Sequence, residues 1–269
     1  MIQIKDFHKV FNRGTINEVY ALKNINLEVE DGDFITIIGT NGSGKSTLLN
    51  AISGTFIGDE GSVKIADVDV TFMPEHSRAK HIARVFQNPF SGTAPGMSIA
   101  ENLHLAALRG KTRMPILGLG TSKLDEYKAI VKDLEMQLED RLDNFIGSLS
   151  GGQRQAITLL MAVMTKPNVL LLDEHTAALD PKSASLIINL TKKFVEQYNL
   201  TTVMVTHSMQ QALALGNKTI MMYRGEIIES LSMKDKQNLT ADDLLDKFAE
   251  LRKNEKLNPE IIMEFSKEY

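Results

Sequence analysis

The sequence predicts an α/β protein: a layered domain whose largely parallel sheet is covered by helices on both faces, with an antiparallel β region and an inserted helical block. Three observations carry that prediction. Residues 34–38, 169–173, 201–206 and 218–223 are short, nearly continuous apolar runs, as parallel strands buried on both faces require. Helical patterns at 45–53, 153–165, 182–198 and 208–215 separate them, the alternation of a layered α/β domain whose site lies at the carboxyl ends of its parallel strands. Residues 2–8, 19–29 and 62–72 alternate or are β-branched and are bounded by Asn, Asp and Gly, the signs of antiparallel strands.

The interval from about 88 to 148 breaks this rhythm. It opens on the turn-rich NPFSGTAPGMS and then reads as helix, with Ile99, Leu103, Ala106 and Ala107 on one face and Leu124, Tyr127, Val131, Leu134 and Leu138 on another. KTRMPILGLGTS reads as a surface loop between those helices. Residues 231–269 are charged and amphipathic, with Leu244, Leu245, Phe248 and Leu251 at helical spacing. The expected division is therefore 1–230, holding a helical insertion at about 88–153, followed by a helical extension at 231–269.

Composition narrows the chemistry. With 43% hydrophobic and 24% charged residues in 269, the chain reads as an ordinary globular protein able to bury a sizeable core. A net charge of −4 gives no support to nucleic-acid binding. Having no cysteine, it forms no disulfide and uses no thiol chemistry. No run approaches the roughly 18 to 20 apolar residues that span a bilayer, so work at a membrane must pass through a partner.

The strongest local signal is GTNGSGKST, residues 39–47, directly after an apolar run. Gly39, four further residues and then Gly44-Lys45-Ser46 have the spacing of a phosphate-cradling loop. Glycine lets successive N–H groups of Gly39, Thr40, Asn41, Gly42, Ser43 and Gly44 turn toward one anion, and the helix starting near Lys45 adds its positive dipole end. Lys45 is expected to reach the β- and γ-phosphates, and the hydroxyl of Ser46, ahead of Thr47, to ligate Mg²⁺. VLLLDE, residues 169–174, delivers two carboxylates at the end of a buried strand. They point differently because side chains alternate: Asp173 is expected in the metal shell and Glu174 as the group that orients or deprotonates water. His207 ends another buried strand, where it is expected to meet the γ-phosphate or the water. Gln87, after the strand-like 82–86, carries an amide able to complete the metal or water shell. LSGGQ, residues 149–153, repeats the anion-site logic with Ser150, Gly151, Gly152 and Gln153 at a helix start, so one chain carries two half-sites for a triphosphate.

This ordered set resembles the nucleotide-binding subunits of ATP-binding cassette (ABC) transporters over residues 1 to about 230: the phosphate loop, Gln87, LSGGQ, VLLLDE, ALD at 178–180 and the switch histidine His207. The resemblance implies a RecA-like P-loop core with an antiparallel β subdomain and an inserted α-helical subdomain. It further implies a head-to-tail dimer in which ATP on residues 39–47 of one copy is closed over by Ser150, Gly151 and Gly152 of the other, with Asp180 near the seam. Phe11, in KVF, matches the family's adenine-stacking position, with Tyr20 as its rival. DEHTAALDP has His175 where most members carry proline, and with QNPFSGTAP it resembles a bacterial subgroup that works with a substrate-binding protein and a permease in uptake of amino acids. The implied cofactors are ATP and Mg²⁺. The implied partners are a second copy, an integral-membrane permease received along residues 88–105 with Phe90 and Met97 as apolar contacts, and an extracytoplasmic substrate-binding protein, with no nucleic acid. The implied place is the cytoplasmic face of the membrane. The alternative is a soluble ABC ATPase acting without a permease, such as an iron-sulfur assembly scaffold; a P-loop kinase is the reading from a third class.

Overall fold

A computed structural model describes residues 1–111 and 119–254, and the side chains of the last helix through residue 250. The expected loop 111–122 therefore falls largely outside the described residues, as does the side chain of Leu251. The chain enters as two long antiparallel strands, β1 (Ile2–Phe11) and β2 (Val19–Val29), followed by β3 (Phe34–Gly39) and helix α1 (Lys45–Ser53). Next come β4 (Glu60–Ile65), β5 (Val68–Asp69), a four-residue helix α2 (Glu75–Arg78) and β6 (Ile82–Val85). Helices α3 (Ile99–Ala107) and α4 (Thr121–Lys132) precede α5 (Gly151–Val163), β7 (Val169–Asp173), α6 (Pro181–Tyr198) and β8 (Thr201–Val205). The remainder is α7 (Met209–Ala214), β9 (Lys218–Tyr223), β10 (Glu226–Ser232), α8 (Met233–Gln237) and α9 (Ala241–Asn254).

Two sheets result. The larger has the order β10-β9-β3-β8-β7-β6, parallel except for the β10 edge; the smaller is the antiparallel set β2-β1-β4-β5. Strand β10 is absent from the elements expected from sequence. Its signal was the Arg224-Gly225 pair, both at positive φ (48° and 85°), a two-residue connection suited to an antiparallel hairpin.

Period-two alternation assigns the layers. Along β7, Leu170 and Leu172 face a core shared with α5, α6 and the inserted helices, while Val169 and Leu171 face a second core shared with α1 and the antiparallel sheet. Burying an apolar side chain on either face contributes roughly 1.5–3 kcal/mol, which explains why these strands read as unbroken apolar runs. The inserted helices join the first core through Ile99, Leu103, Tyr127, Val131, Leu134 and Leu138, the faces their spacing predicts. A third, smaller cluster packs Leu244 and Phe248 of α9 against Met209 and Ala212 of α7 and against Ile38 and Met221 of the sheet. Through Leu244 and Phe248, helix α9 thus lies on the core, behind the helix that follows His207.

Helix starts are fixed by capping. Ser98 and Glu101 form a capping box on α3, Ser150 and Gln153 one on α5, and Asp180 with Pro181 starts α6. Helix α1 differs: its N-cap is Gly44, which has no side chain to satisfy the first-turn N–H groups.

Candidate nucleotide site

The carboxyl ends of β3, β7 and β8 bring most of the expected residues together. After β3 the loop folds so tightly that a Cβ on Gly39 would stand 2.3 Å from the Met222 carbonyl oxygen, and one on Gly44 2.6 Å from that of Ala21. Gly44 also sits at φ 99°, so both glycines are required by the backbone path. Lys45, 5% exposed, donates from Nζ to the carbonyls of Gly39 (2.8 Å) and Thr40 (3.0 Å), spanning the loop it follows. Ser43 is buried, with a hydroxyl that has no hydrogen-bond partner, while Asn41, Gly42 and Ser46 face outward and Thr47 is half-buried. Uncapped N–H groups at the start of α1 beside a buried ammonium make this an anion site.

Asp173 ends β7, with its Oδ1 3.4 Å from the Ser46 Oγ. Its Oδ2 accepts from Arg84 Nη2 at 2.6 Å, and Arg84 Nη1 donates to Asn50 Oδ1 on α1, also at 2.6 Å. A hydroxyl and a carboxylate are hard oxygen donors suited to Mg²⁺, which takes few protein ligands and completes its shell with phosphate and water. Among the described residues no cluster of three or more His, Cys, Asp or Glu offers an all-protein metal cage. The donor set therefore fits a metal held jointly with a phosphate.

Glu174 diverges from Asp173 for two reasons, strand alternation and a left-handed backbone at φ 48°. Its N–H donates to the Val205 carbonyl (3.0 Å), locking the turn to the end of β8. His207, just beyond β8, places Nε2 2.6 Å from Glu174 Oε1, with the carboxylate 11% and the imidazole 42% exposed. The first reach of His207 is thus to the carboxylate. The helix after it is capped by Ser208.

Gln87 is exposed and lines an open cleft of about 560 Å³ with Phe90, Gly151 and Asp173. That cleft joins the glutamine segment, one glycine of LSGGQ and the β7 carboxylate. Ser150 and Gln153 are occupied with each other: the Ser150 Oγ accepts from the Gln153 N–H and Gln153 Oε1 from the Ser150 N–H, both at 3.3 Å. Gly152 allows α5 to approach α6, since a Cβ there would meet the Ser183 Oγ at 2.6 Å. Asp180 accepts from the N–H groups of Lys182 and Ser183, and hydrogen bonds from Ser183 hold its carboxyl below the usual range.

Phe11 lies opposite Val19 at the far end of the antiparallel pair, edge-on to Phe56 with centroids 5.4 Å apart, and is 36% exposed. Tyr20 is 56% exposed two residues before Leu22, on the stretch of β2 whose Ala21 carbonyl meets Gly44. Both rings are open at one end of the same strand pair.

His175 turns inward, 1% exposed, with Nε2 3.1 Å from the Thr191 Oγ1 on α6. Thr191 gives its own proton to the Ile187 carbonyl (2.8 Å), so the imidazole proton sits on Nε2. Nδ1 has no partner, and burial pushes the imidazole down to about 4. Sequence reasoning missed Arg84 and Gln155. The signal for the first was one cation inside the apolar IARVF run; the second is a wholly buried amide in an apolar helix.

A parallel sheet that ends in a glycine loop uncapped at its helix, with a hydroxyl and two carboxylates beside it, defines a nucleoside-triphosphate hydrolase of the P-loop class. Residues 22–177 match the family model described as ABC transporter. The "Tyrosine transport ATP-binding protein" of Clostridioides difficile (strain R20291) is 41% identical over 92% of this chain and 98% of its own length. A "Methionine import ATP-binding protein" of Bacillus thuringiensis subsp. konkukian (strain 97-27) is 33% identical over 87% of this chain and 67% of its own. Among solved structures, an ATP-binding cassette dimer in a post-hydrolysis state with ADP and phosphate is 31% identical, with TM-score 0.74 over 87% of this chain and 99% of that one. The chain belongs to the ABC transporter family, as an ATP-binding, ATP-hydrolysing subunit with the RecA-like P-loop fold.

Proposed function

We propose that this ATPase powers a separate membrane permease importing a small solute, an amino acid in the first instance, from the cytoplasmic face of the membrane. The observation that carries the reading is the nearly end-to-end match to a tyrosine transport ATP-binding protein. Among the described residues no helix is long and apolar enough to cross a membrane, which suits a subunit that borrows its membrane path. Phe90, exposed beside Gln87, and the half-buried Met97 lie on the 88–105 segment proposed to receive the permease. An extracytoplasmic substrate-binding protein would complete the system.

In the proposed mechanism the triphosphate lies against residues 39–47, held by the N–H groups at the start of α1 and by Lys45, with adenine stacked on Phe11. Ser46 and Asp173 would hold Mg²⁺, assisted by Gln87; the metal supplies charge neutralisation of the phosphates. Glu174 orients the attacking water and takes up its proton, and His207, on the carboxylate, keeps it aimed. Ser150, Gly151, Gly152 and Gln153 of a second copy close over the γ-phosphate, with Asp180 near that seam, so loss of the γ-phosphate removes what favours closure. The division into an ATPase domain at 1–230, carrying its helical insertion at about 88–153, and an extension at 231–269 is part of the same proposal.

The test is affinity purification of tagged Glu174→Gln protein from detergent-solubilised cells in Mg-ATP, with mass spectrometry of what accompanies it. A polytopic membrane protein is expected. Soluble partners alone, with membranes demonstrably extracted, would replace the permease reading with that of a scaffold ATPase.

A further inference from the structure

Helix α5 starts at Gly151-Gly152 behind its cap Ser150, and two consecutive side chains one turn on leave it for other parts of the site. Gln155 is wholly buried at 0% exposure, and its Nε2 donates both to the Phe86 carbonyl (3.2 Å) and to the His175 carbonyl (2.7 Å). Phe86 immediately precedes Gln87, and His175 immediately follows Glu174. Beside it Arg154, 1% exposed, lays its guanidinium 4.1 Å from the ring centroid of Phe90, three residues beyond Gln87. Two neighbouring positions of α5 are thus fastened to the glutamine segment, and one of them also to the turn that carries Glu174.

That turn needs fastening. Glu174 is a non-glycine residue at φ 48°, a conformation that persists only where its surroundings enforce it. On the strand side the Glu174 N–H is tied to Val205, and the Glu174 carbonyl accepts from Ala177 within the turn (2.9 Å). The following peptide is held from outside by Gln155. We propose that Gln155 is a positioning residue for ATP hydrolysis: its amide fixes the left-handed Glu174 turn and the start of the glutamine segment to the helix that begins with LSGGQ. The proposal rests on Glu174 being the residue that activates water. Removing the amide leaves a buried carbonyl on His175 and a partly buried one on Phe86 without this donor and frees the turn to relax, swinging the carboxylate from His207. A misplacement of about 1 Å at a reacting group costs up to roughly 100-fold in rate.

The experiment uses the full chain and two variants, Gln155→Met, which keeps length and volume without a donor, and Gln155→Asn, which keeps the amide and shortens its reach. ATPase kcat, KM for ATP, binding of a fluorescent ATP analogue and thermal unfolding are measured for each. Thr158→Val serves as a control, because it removes another buried hydrogen bond of α5, Thr158 to the Arg154 carbonyl (2.9 Å), and leaves both hydrogen bonds of the Gln155 amide in place. Expected is a kcat lower by about 10- to 100-fold in whichever Gln155 variant is folded, with KM and analogue binding changed less than about threefold, and a near wild-type kcat in Thr158→Val. Wild-type kcat in a folded Gln155 variant, or an equal loss in Thr158→Val, overturns the proposal. If neither Gln155 variant folds while Thr158→Val does, Gln155 is a stability residue and the proposal falls. Glu174→Gln is assayed in parallel: if it hydrolyses ATP at the wild-type rate, it is the assignment of Glu174 that fails.

Discussion

Replacing His175 by Gln should remove an acid sensitivity built into the fold. The neutral imidazole donates from Nε2 to Thr191, and a second proton would have to enter at Nδ1, which is buried and has no acceptor. The imidazole accordingly titrates at about 4 in the fold against an ordinary 6.5. Below pH 6.5 the unfolded chain binds the proton more readily than the folded one, so stability is fully present above that value and is lost as pH falls toward 4. The whole interval is worth about 3 kcal/mol, of which about 2 kcal/mol is expressed at pH 5. Urea unfolding of the wild type and of His175→Gln at pH 7.5 and pH 5 is the assay. Surface carboxylates titrate in both proteins and cancel, so the wild type should lose about 2 kcal/mol more than the variant between the two conditions. Equal losses, within about 0.5 kcal/mol, would refute the assignment of a buried, neutral histidine.

Three further outcomes are expected. Lys45→Ala should abolish binding of a fluorescent ATP analogue while leaving thermal unfolding within a few degrees, since an ammonium held on Gly39 and Thr40 serves the loop more than the core; unchanged affinity would count against the phosphate site. Leu244→Ala, at a wholly buried position against α7, should cost about 2–5 kcal/mol in urea unfolding, and a change below 1 kcal/mol would mean that α9 does not pack on the core. Ser150→Arg should leave ATP binding by single copies nearly intact while stopping hydrolysis; a fully active variant would sink the shared site.

What was legible in the sequence follows physical range. The parallel strands were readable because burial on both faces leaves unbroken apolar runs, and the phosphate loop because Gly39 and Gly44 are positions where a side chain has no room. Strand β10 was missed because, at the edge of the sheet, only Leu231 is buried and the apolar signal is weak. Asp173 and Glu174 were found as neighbours at a strand end. Their fixers were not: Arg84 lies 89 residues from Asp173 and Gln155 lies 20 from His175, and nothing in local spacing announces such pairings. His175 stood out only as a departure from a family pattern, and its place in the core depends on Thr191, one helix away.

The most direct test of the account is sedimentation of Glu174→Gln protein without nucleotide, with Mg-ADP and with Mg-ATP, paired with its rate of ATP hydrolysis. The account predicts a monomer in the first two conditions and a stable dimer in Mg-ATP, with hydrolysis slowed by about a thousandfold or more. A protein that stays monomeric in Mg-ATP, or that hydrolyses at the wild-type rate, would contradict it.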